Sequence, residues 1–217
     1  VMTQSKGTLI ALIVAAPVYL YLKTKNILAA VVFVVISLLA LLPMHDKIDL
    51  HSFKERLKIN YFTLEVIKDY PAAGIGFGMQ TFVHNIDRNR YMKKMPTEYR
   101  PEAVLTPHNL LLDITVRLGL VGLALFLFIL FLFGKISMKT IRSARDEETR
   151  SLAKCIAVSF VGYFIISIAE PVFLFAASAS MFYILLAMMT ILWRLNNSNN
   201  AVDNSRADDG RSGRGLA

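Results

Sequence analysis

The sequence contains a single cysteine, Cys155, among its 217 residues, and it has little charge over long stretches. One thiol excludes an intramolecular disulfide and any cysteine-rich metal site within the chain. Charged residues make up only 18% of the chain, whereas 55% of its residues are hydrophobic and the mean hydropathy is +0.49. Ordinary soluble domains are less apolar than this. We therefore expect Cys155 to be a small buried residue and the chain to enter a membrane.

The apolar residues are collected into blocks with few charges. Blocks approaching or exceeding 20 residues predict transmembrane helices. The five blocks are residues 7–22, 27–43, 109–133, 153–169 and 172–193. Because Lys23, Lys25 and a second block follow the first one, with no small-residue cleavage site, we interpret it as one arm of a helical hairpin and not as a signal peptide.

The predicted fold is an all-α polytopic membrane protein with five transmembrane helices and one long loop outside the cytoplasm. Residues 1–43 form two of these helices and residues 44–108 form the loop. Residues 109–195 form three more helices, which enclose a second loop at 134–154. Residues 196–217 are rich in Asn, Ser, Gly, Asp and Arg and predict a disordered tail. Because the chain starts directly with a membrane hairpin, we expect it to be the C-terminal part of a longer protein.

The lysines and arginines orient these spans. Residues 134–154 contain six of them against three acidic residues, which the positive-inside rule assigns to the cytoplasm. Lys23, Lys25 and Arg194 fall on the same side if there are five spans. Residues 44–108 then lie outside, in the periplasm of a Gram-negative cell. The net charge of +8 is spread over loops without a basic helix, so anionic lipids and phosphate-bearing ligands fit it better than nucleic acid.

The external loop begins with a predicted amphipathic helix, residues 52–69, which ends before Pro71. Ser52 and Glu55 have the spacing of a capping box. The apolar positions that recur at helical intervals are Phe53, Leu57, Tyr61, Leu64 and Ile67. Such a helix could lie on the membrane surface or pack over the mouth of the helix bundle, and the pattern leaves both interpretations open.

The glycine-rich segment Pro71–Gly78 follows this helix. It has no preceding strand and matches neither a Walker nor a dinucleotide motif, so it predicts a tight turn with a close approach of backbones. The next stretch, residues 87–100, is rich in Arg and Lys. It is either a solvated basic face or a guide for a pyrophosphate or a phosphorylated saccharide.

We expect no metal and no other cofactor. Four potential metal ligands lie at the start of the external loop, but their spacing matches no regular metal site. They are His45, Asp46, Asp49 and His51.

The start of the third apolar block carries the best candidate for catalysis. Thr106 suits an N-cap and Pro107 suits the first helical position, which would place His108 and Asn109 in the opening turn of the helix. The dipole and the N–H groups there favour anions and keep an imidazole neutral and able to accept a proton. A merely interfacial histidine is the alternative interpretation.

The same predicted helix separates His108 from an ion pair. Asp113 and Arg117 are four residues apart and could neutralise each other in a low-dielectric setting, which favours a structural role. On an ideal helix, Gly119 and Gly122 share the face of His108 while Arg117 points away. Small residues mark faces along which membrane helices pack closely. We therefore expect His108 to face the interior of the bundle.

The order of these motifs resembles the C-terminal half of the O-antigen ligase family. The motifs are Pro71–Gly78, a variable loop, His108-Asn109-x-x-Leu112 and Gly119-x-x-Gly122. O-antigen polymerases and bacterial protein O-oligosaccharyltransferases are related and share the pattern. The similarity covers residues 45–125, and the layout of spans extends it to about residue 193.

The resemblance implies a glycosyltransferase of the bacterial inner membrane with its active site facing the periplasm. Its donor would be an undecaprenyl-diphosphate-linked glycan and its acceptor the lipid A core oligosaccharide. His108 would be the general base, and Arg56 would stabilise the diphosphate. Further substrate-binding candidates are Arg88, Arg90, Arg100, Asn109 and Glu170. Glu170 fits equally well as part of a turn between two spans.

Three alternatives stay open. An O-antigen polymerase would use a lipid-linked glycan as both donor and acceptor, and a protein O-oligosaccharyltransferase would glycosylate protein. A non-enzymatic transporter of lipid-linked glycans belongs to a different class. Transporters place ionisable groups near the bilayer midplane, whereas the candidate residues here gather at the outer surface, which favours an enzyme.

Overall fold

A computed structural model of the chain describes residues 6–41, 50–78, 80–103, 106–169, 173 and 175–212. None of these residues lies in a β-strand, so the all-α prediction is confirmed for this part of the chain. The elements are α1 Lys6–Thr24, α2 Ile27–Leu41, α3 Leu50–Asp69, α4 Thr81–His84, α5 Arg88–Lys94, a 3-10 turn Thr97–Tyr99, α6 Leu110–Ser143, α7 Glu147–Ala169 and α8 Ala176–Ser212.

Three of these helices, α6, α7 and α8, are long and apolar enough to cross a membrane. They pack on one another around stacked aromatic side chains, with the rings of Phe133 and Phe160 only 3.9 Å apart. The apolar stretches described in the first two helices are shorter, Ile13–Thr24 and Ile27–Ser37. The count of five spans therefore stays a prediction.

The first helix joins this bundle through α7. A Cβ atom built on Gly162 of α7 would lie 3.3 Å from the Cβ of Ala15 of α1, so the two helices touch where both carry small residues. In lipid, the hydrophobic effect does not drive apolar helices together, so their association depends on close packing, which small residues permit. The contact places the α1–α2 hairpin beside α7.

Outside the bundle, residues 50–118 form a small core of their own. Phe62 and Val66 of α3 are fully buried, together with Phe82 and Tyr91 from the loop and Val116 of α6. Phe62 makes edge-on ring contacts with Phe82 at 6.2 Å and with Tyr91 at 5.8 Å between centroids. Because Val116 belongs to α6, this core fastens the part of the chain between α2 and α6 to the bundle. We call this part the external segment, after the side of the membrane that the sequence predicts for it.

The apolar stripe that the sequence predicted for α3 is not the face by which this helix packs on the protein. The predicted helix exists, but its packed face consists of Ile59, Phe62, Thr63 and Val66. The residues expected on the packed or membrane-bound stripe are largely exposed, Ile67 excepted: Phe53, Leu57, Tyr61 and Leu64. Apolar residues recur at helical intervals on both faces of α3, and this periodicity alone does not indicate which face packs against the rest of the protein.

The predicted capping box of α3 is wrong. Ser52 is the third residue of the helix, and Glu55 instead bonds to Lys58 Nζ at 2.6 Å and to the backbone N–H of Glu102 at 2.9 Å. The carboxylate of Glu55 thus binds the loop at Glu102, whereas the sequence spacing predicted that it would cap the start of α3.

The helix α6 is interrupted at Gly119, which has φ 69° and ψ −172°. In a regular helix the carbonyls of Val116 and Arg117 would accept from the N–H groups four residues later. Here they accept from Ile75 N at 2.8 Å and Gly76 N at 2.9 Å. The N–H groups beyond the interruption donate in turn to Pro71–Gly78: Leu120 N to Pro71 O at 2.8 Å and Val121 N to Ala72 O at 3.4 Å.

This exchange confirms the predicted close approach of backbones at Pro71–Gly78. A Cβ atom on Gly74 would lie 2.4 Å from the backbone carbon of Arg117, and one on Gly119 would lie 1.9 Å from Ala72 O. Both glycines also have positive φ, which L-residues with side chains rarely adopt. The packing role predicted for Gly119 is therefore wrong, because its neighbour is the loop backbone and not another span.

The cytoplasmic loop predicted at 134–154 is mostly helical. Only residues 144–146 separate α6 from α7. At the other end, α8 continues through Asn196 to Ser212, where the composition predicted a disordered tail. Asn196 Nδ2 donates to Ser143 Oγ at 2.7 Å and Asn200 Nδ2 to Ser143 O at 3.3 Å. A helix already nucleated by the bundle propagates cheaply into polar sequence, which accounts for the difference.

We predict that Gly119→Ala destabilises the protein while Gly134→Ala, its control in the same helix, does not. The Gly119 variant meets Ala72 O and needs a positive φ, whereas a Cβ on Gly134 has no atom within 4 Å. Overpacking and the left-handed conformation together should cost about 2–5 kcal/mol, and the control should be neutral or slightly stabilising. Thermal unfolding in detergent, followed by circular dichroism, measures both. Equal melting temperatures for the two variants would contradict the exchange at Gly119.

Candidate functional site

His108 lies half-buried two residues before α6 begins. The N-cap is Asn109, whose extended backbone has φ −156° and whose Oδ1 accepts from Leu112 N at 3.1 Å. The carbonyl of Asn109 also accepts from Asp113 N at 2.8 Å. The prediction of Thr106 as N-cap and Pro107 as first helical residue is therefore wrong by three residues. His108 stands at the mouth of the helix rather than in its first turn.

Thr106 has a different function from the predicted one. Its Oγ1 donates to Asp113 Oδ1 at 3.3 Å and accepts from Arg117 Nη2 at 3.3 Å. Pro107 is fully buried next to it. These contacts tie the two residues that precede His108 to the body of α6, so the backbone that carries the imidazole is held on its N-terminal side.

The predicted Asp113–Arg117 ion pair is confirmed, and its surroundings are richer than the sequence indicated. Arg117 Nε lies 2.7 Å from Asp113 Oδ1, with both side chains at most 2% exposed. The same guanidinium donates through Nη1 to Gly78 O and, at 3.0 Å, to Thr81 Oγ1. A guanidinium has five N–H donors, and these bonds together with the one to Thr106 use its three nitrogens.

Arg117 therefore joins three parts of the site. It donates to the carbonyl of Gly78 at the end of the glycine-rich segment and to the carboxylate of Asp113 on α6. It also donates to the hydroxyl of Thr106, two residues before His108. A buried charge is stable only when it is paired and hydrogen-bonded, and here each nitrogen has an acceptor. The candidate site consists of His108 and Asn109, held in place by this buried cluster.

Three of the predicted substrate-binding arginines are exposed and bind groups of the external segment itself. Arg88 Nη2 donates to Glu102 O at 2.8 Å, and Arg100 Nε donates to Met95 O at 3.1 Å. Arg90 Nη2 lies 2.9 Å from Asp69 Oδ2. None of these bonds reaches His108. Each arginine holds part of the loop in this structure, and the substrate-binding role of the three stays a prediction.

Asp69, the last residue of α3, gathers several of these groups. It accepts from Tyr91 Oη at 2.9 Å and from Lys94 Nζ at 3.1 Å besides the bond from Arg90. The Tyr91 hydroxyl, the ammonium of Lys94 and the guanidinium of Arg90 hold the pKa of the Asp69 carboxyl below its usual range. Conversely, burial and the neighbouring Asp69 raise the pKa of Tyr91. The cluster anchors α5 to the end of α3.

The remaining predicted residues stay predictions. Arg56 is half-buried on α3, in the turn after Phe53. Glu170 lies outside the described residues, as do His45, Asp46 and Asp49 of the sequence-based metal cluster.

His51 lies beside two acidic groups, Glu55 of the same helix and Glu102 of the loop. Its Nε2 lies 3.3 Å from Glu102 Oε1, and the potential ligand atoms of His51, Glu55 and Glu102 all lie within 4.8 Å of one another. Lys58 already compensates Glu55 at 2.6 Å, and the side chains of His51 and Glu102 are about 70% exposed. The group ties the start of α3 to the loop at Glu102.

Residues 1–127, more than half of the sequence, match the family model described as O-antigen ligase. The chain belongs to the O-antigen ligase family. The matched region contains the helical hairpin, the external segment, His108 and the interruption of α6 at Gly119, so the family relationship includes the whole candidate site.

A curated protein of Rickettsia typhi, whose name gives polysaccharide ligase as a provisional assignment, is 31% identical over 120 residues. The alignment covers 53% of this chain and 26% of that protein. The chain thus aligns with about a quarter of the length of this relative. No solved structure matches the chain.

We predict a strong, non-additive loss of stability when the buried pair is broken. Arg117→Leu or Asp113→Leu alone leaves an uncompensated buried charge and should cost about 3–5 kcal/mol. The double variant should lose less than the sum of the single losses, since it leaves no unpaired charge. Arg150→Leu is the control, because its pair with Glu147 is partly exposed and should cost about 1 kcal/mol or less. Chemical unfolding in detergent tests this cycle, and strictly additive losses would contradict coupling within the pair.

Proposed function

We propose that the protein transfers a glycan from undecaprenyl diphosphate to the lipid A core oligosaccharide at the periplasmic face of the inner membrane. The observation that carries this proposal is the family match over residues 1–127, with His108 at the capped mouth of an apolar helix. The provisional name of the R. typhi relative, a polysaccharide ligase, agrees with transfer of a polymer.

His108 is the general base in this proposal. A sugar hydroxyl is a poor nucleophile at neutral pH, so its proton must move to a base as its oxygen attacks. The imidazole takes that proton, the acceptor oxygen forms a bond to the anomeric carbon of the donor, and the bond from that carbon to the diphosphate breaks. Undecaprenyl diphosphate leaves with the electron pair. The scheme uses no metal ion.

The leaving diphosphate gains negative charge, which positive groups must stabilise in the transition state. Arg56 is the side chain proposed for this task, because a guanidinium can bind two phosphate oxygens at once. The N-terminus of α6 adds the positive end of a helix dipole beside His108. Arg88, Arg90 and Arg100 contribute to a positive field that attracts the donor, and Asn109 orients the helix mouth to which the substrates bind.

A transporter is a poorer interpretation of the same features. Transporters bind cargo at broken helices near the bilayer midplane. The interruption of α6 is filled by the backbone of Pro71 and Ala72 and by a close contact at Gly119, which leaves the exposed backbone groups bonded within the protein. This supports a catalytic role at the helix mouth over passage of a glycan through the break.

Expression of the full-length protein in a ligase-deficient strain tests the proposed function. A ladder of polymer attached to lipid A core would support a ligase. A strain that lacks the polymerase accumulates single repeats. If this protein restores long chains in that strain, it is a polymerase instead. Glycan attached to protein would identify a protein O-oligosaccharyltransferase.

We predict that His108→Gln lowers the transfer rate about a hundred- to ten-thousand-fold, the usual contribution of general-base catalysis. Glutamine preserves much of the size and hydrogen bonding of histidine but takes no proton at neutral pH. The control is His84→Gln, an exposed histidine of the same external segment, which should transfer at the native rate. The measurement is transfer by purified protein with a native melting temperature. Near-native transfer by the His108 variant would rule out the base role.

We predict that Arg56→Ala weakens use of the donor more than Arg56→Lys. An ammonium keeps the charge but supplies only one point contact, whereas alanine removes both charge and fork geometry. The measurement is the set of kinetic constants for donor and for acceptor. The substitutions should change mainly the constants for the donor. Arg142→Ala, an exposed arginine near the far end of α6, is the control. If both Arg56 variants behave like wild type, the diphosphate contact belongs to Arg88, Arg90 or Arg100.

A further inference from the structure

The helix α3 has two apolar faces on opposite sides. At about 100° per residue, Phe53, Leu57 and Leu64 lie within about 40° of one another, and Phe62 and Val66 lie on the other side. The inner side chains are fully buried, whereas the outer ones are 57%, 52% and 45% exposed, and Tyr61 beside them is 39% exposed. We call Phe53, Leu57, Tyr61 and Leu64 the outer stripe.

The outer stripe is continuous with an aromatic groove. The rings of Tyr61 and Tyr99 stack with centroids 5.3 Å apart, and the shallow groove beside them has a volume of about 500 Å³. Apolar side chains scattered singly over a surface need no explanation, but a contiguous set along three turns of helix does. Tyrosines of this kind are enriched where an apolar medium meets water.

The charges of α3 are distributed unequally about this stripe. On the helix, Lys54 lies beside Tyr61 on one side of the stripe, Arg56 lies on the other side, and Lys68 lies in line with the stripe one turn beyond Leu64. Cations at the border of an apolar face are typical of helices that lie in a membrane interface. Lys68 is 66% exposed, whereas its partner Glu65 is 16% exposed. The other two acids of the helix are shielded as well, with Glu55 at 15% and Asp69 at 26%. The exposed charges that α3 itself places beside the outer stripe are therefore cations, while Glu98 is an exposed acid in the groove next to Tyr99.

The position of α3 keeps this helix close to the membrane. Only eight residues separate the end of α2 at Leu41 from Leu50, a distance of at most about 30 Å even when fully extended. The inner face of α3 packs through Phe62 and Val66 against the core that includes Val116 of α6. The helix is thus held at the mouth of the bundle from both ends of the external segment.

We propose that the outer stripe of α3 inserts into the adjoining leaflet of the membrane, with Lys54 and Lys68 on lipid phosphates. Apolar side chains leave water, and the flanking cations keep their charges at the headgroups while their stems lie along the apolar boundary. Anionic lipids match these exposed cations, which selects the membrane over an uncharged protein groove. The insertion fixes the height of the external segment relative to the bilayer.

Spin labels measure the depth directly. The full-length protein carries Cys155→Ala together with Leu57→Cys or Leu64→Cys and is reconstituted into vesicles of phosphatidylethanolamine and phosphatidylglycerol. Labels inserted by about 5–10 Å should be readily relaxed by oxygen and poorly relaxed by a water-soluble nickel chelate. The control, Asn89→Cys on the exposed surface of α5, should show the reverse. This readout uses no transfer activity and so is independent of the proposed reaction.

Two outcomes would overturn the proposal. Labels at 57 and 64 that are as accessible to nickel as the label at 89 would place the stripe in water. Immobilised labels accessible to neither reagent would show that another protein surface covers it. As a test of the charged flanks, Lys54→Gln combined with Lys68→Gln should make the labels shallower in these vesicles but leave their depth unchanged in neutral phosphatidylcholine. Equal depths in the anionic vesicles with and without the lysines would contradict the phosphate contacts.

Discussion

The exchange of backbone hydrogen bonds at Gly119 is the interaction on which the rest of the structure depends. An interrupted helix within an apolar span would leave carbonyl and N–H groups unsatisfied, and each costs several kcal/mol away from water. Here the carbonyls of Val116 and Arg117 and the N–H groups of Leu120 and Val121 all bond to Pro71–Gly78. These four groups therefore keep hydrogen-bond partners across the break. The same bonds attach the external segment to the bundle through backbone, in addition to the side chains of Val116 and Arg117.

This attachment explains why a charged residue can be buried beside it. Arg117 lies just before the interruption, where the glycine-rich segment brings the carbonyl of Gly78 to its guanidinium. Asp113 compensates the charge from one turn away, and Thr106 completes the set of acceptors. A side chain on Gly74 or Gly119 would push the segment away and remove an acceptor from Arg117. The glycines thus act on His108 indirectly, through the residue that holds its backbone.

The sequence predicted what depends on local pattern and missed what depends on two distant segments. Periodicity and composition were sufficient for α3, the apolar parts of the long helices, the Asp113–Arg117 pair and the close approach at Pro71–Gly78. They missed the polar ends of α6 and α8, which continue as helix to Ser143 and Ser212. Thr106 and Asn109 are both good N-caps, and only the competing bonds of Thr106 to Asp113 and Arg117 decide between them. The exchange at Gly119 has no signal in either segment alone. The site roles of Arg56 and Glu170 stay predictions.

The geometry of α6 relates the height of His108 to the proposed donor. From Leu110 to Gly134, with only the buried Asp113–Arg117 pair charged, α6 has 25 residues and a length of about 37 Å, enough for the roughly 30 Å of hydrocarbon in a bilayer. The part from Gly119 to Gly134 alone is only about 24 Å long and is followed by Lys135, so the interruption falls inside the apolar layer and the mouth of α6 falls near its boundary. A lipid-linked donor keeps its prenyl chain in the bilayer and its diphosphate among the headgroups. The mouth of α6, where His108 lies, is therefore at the headgroup depth of such a diphosphate, which is the depth that the proposed base role requires, and a helix α3 seated in the same leaflet would keep it there.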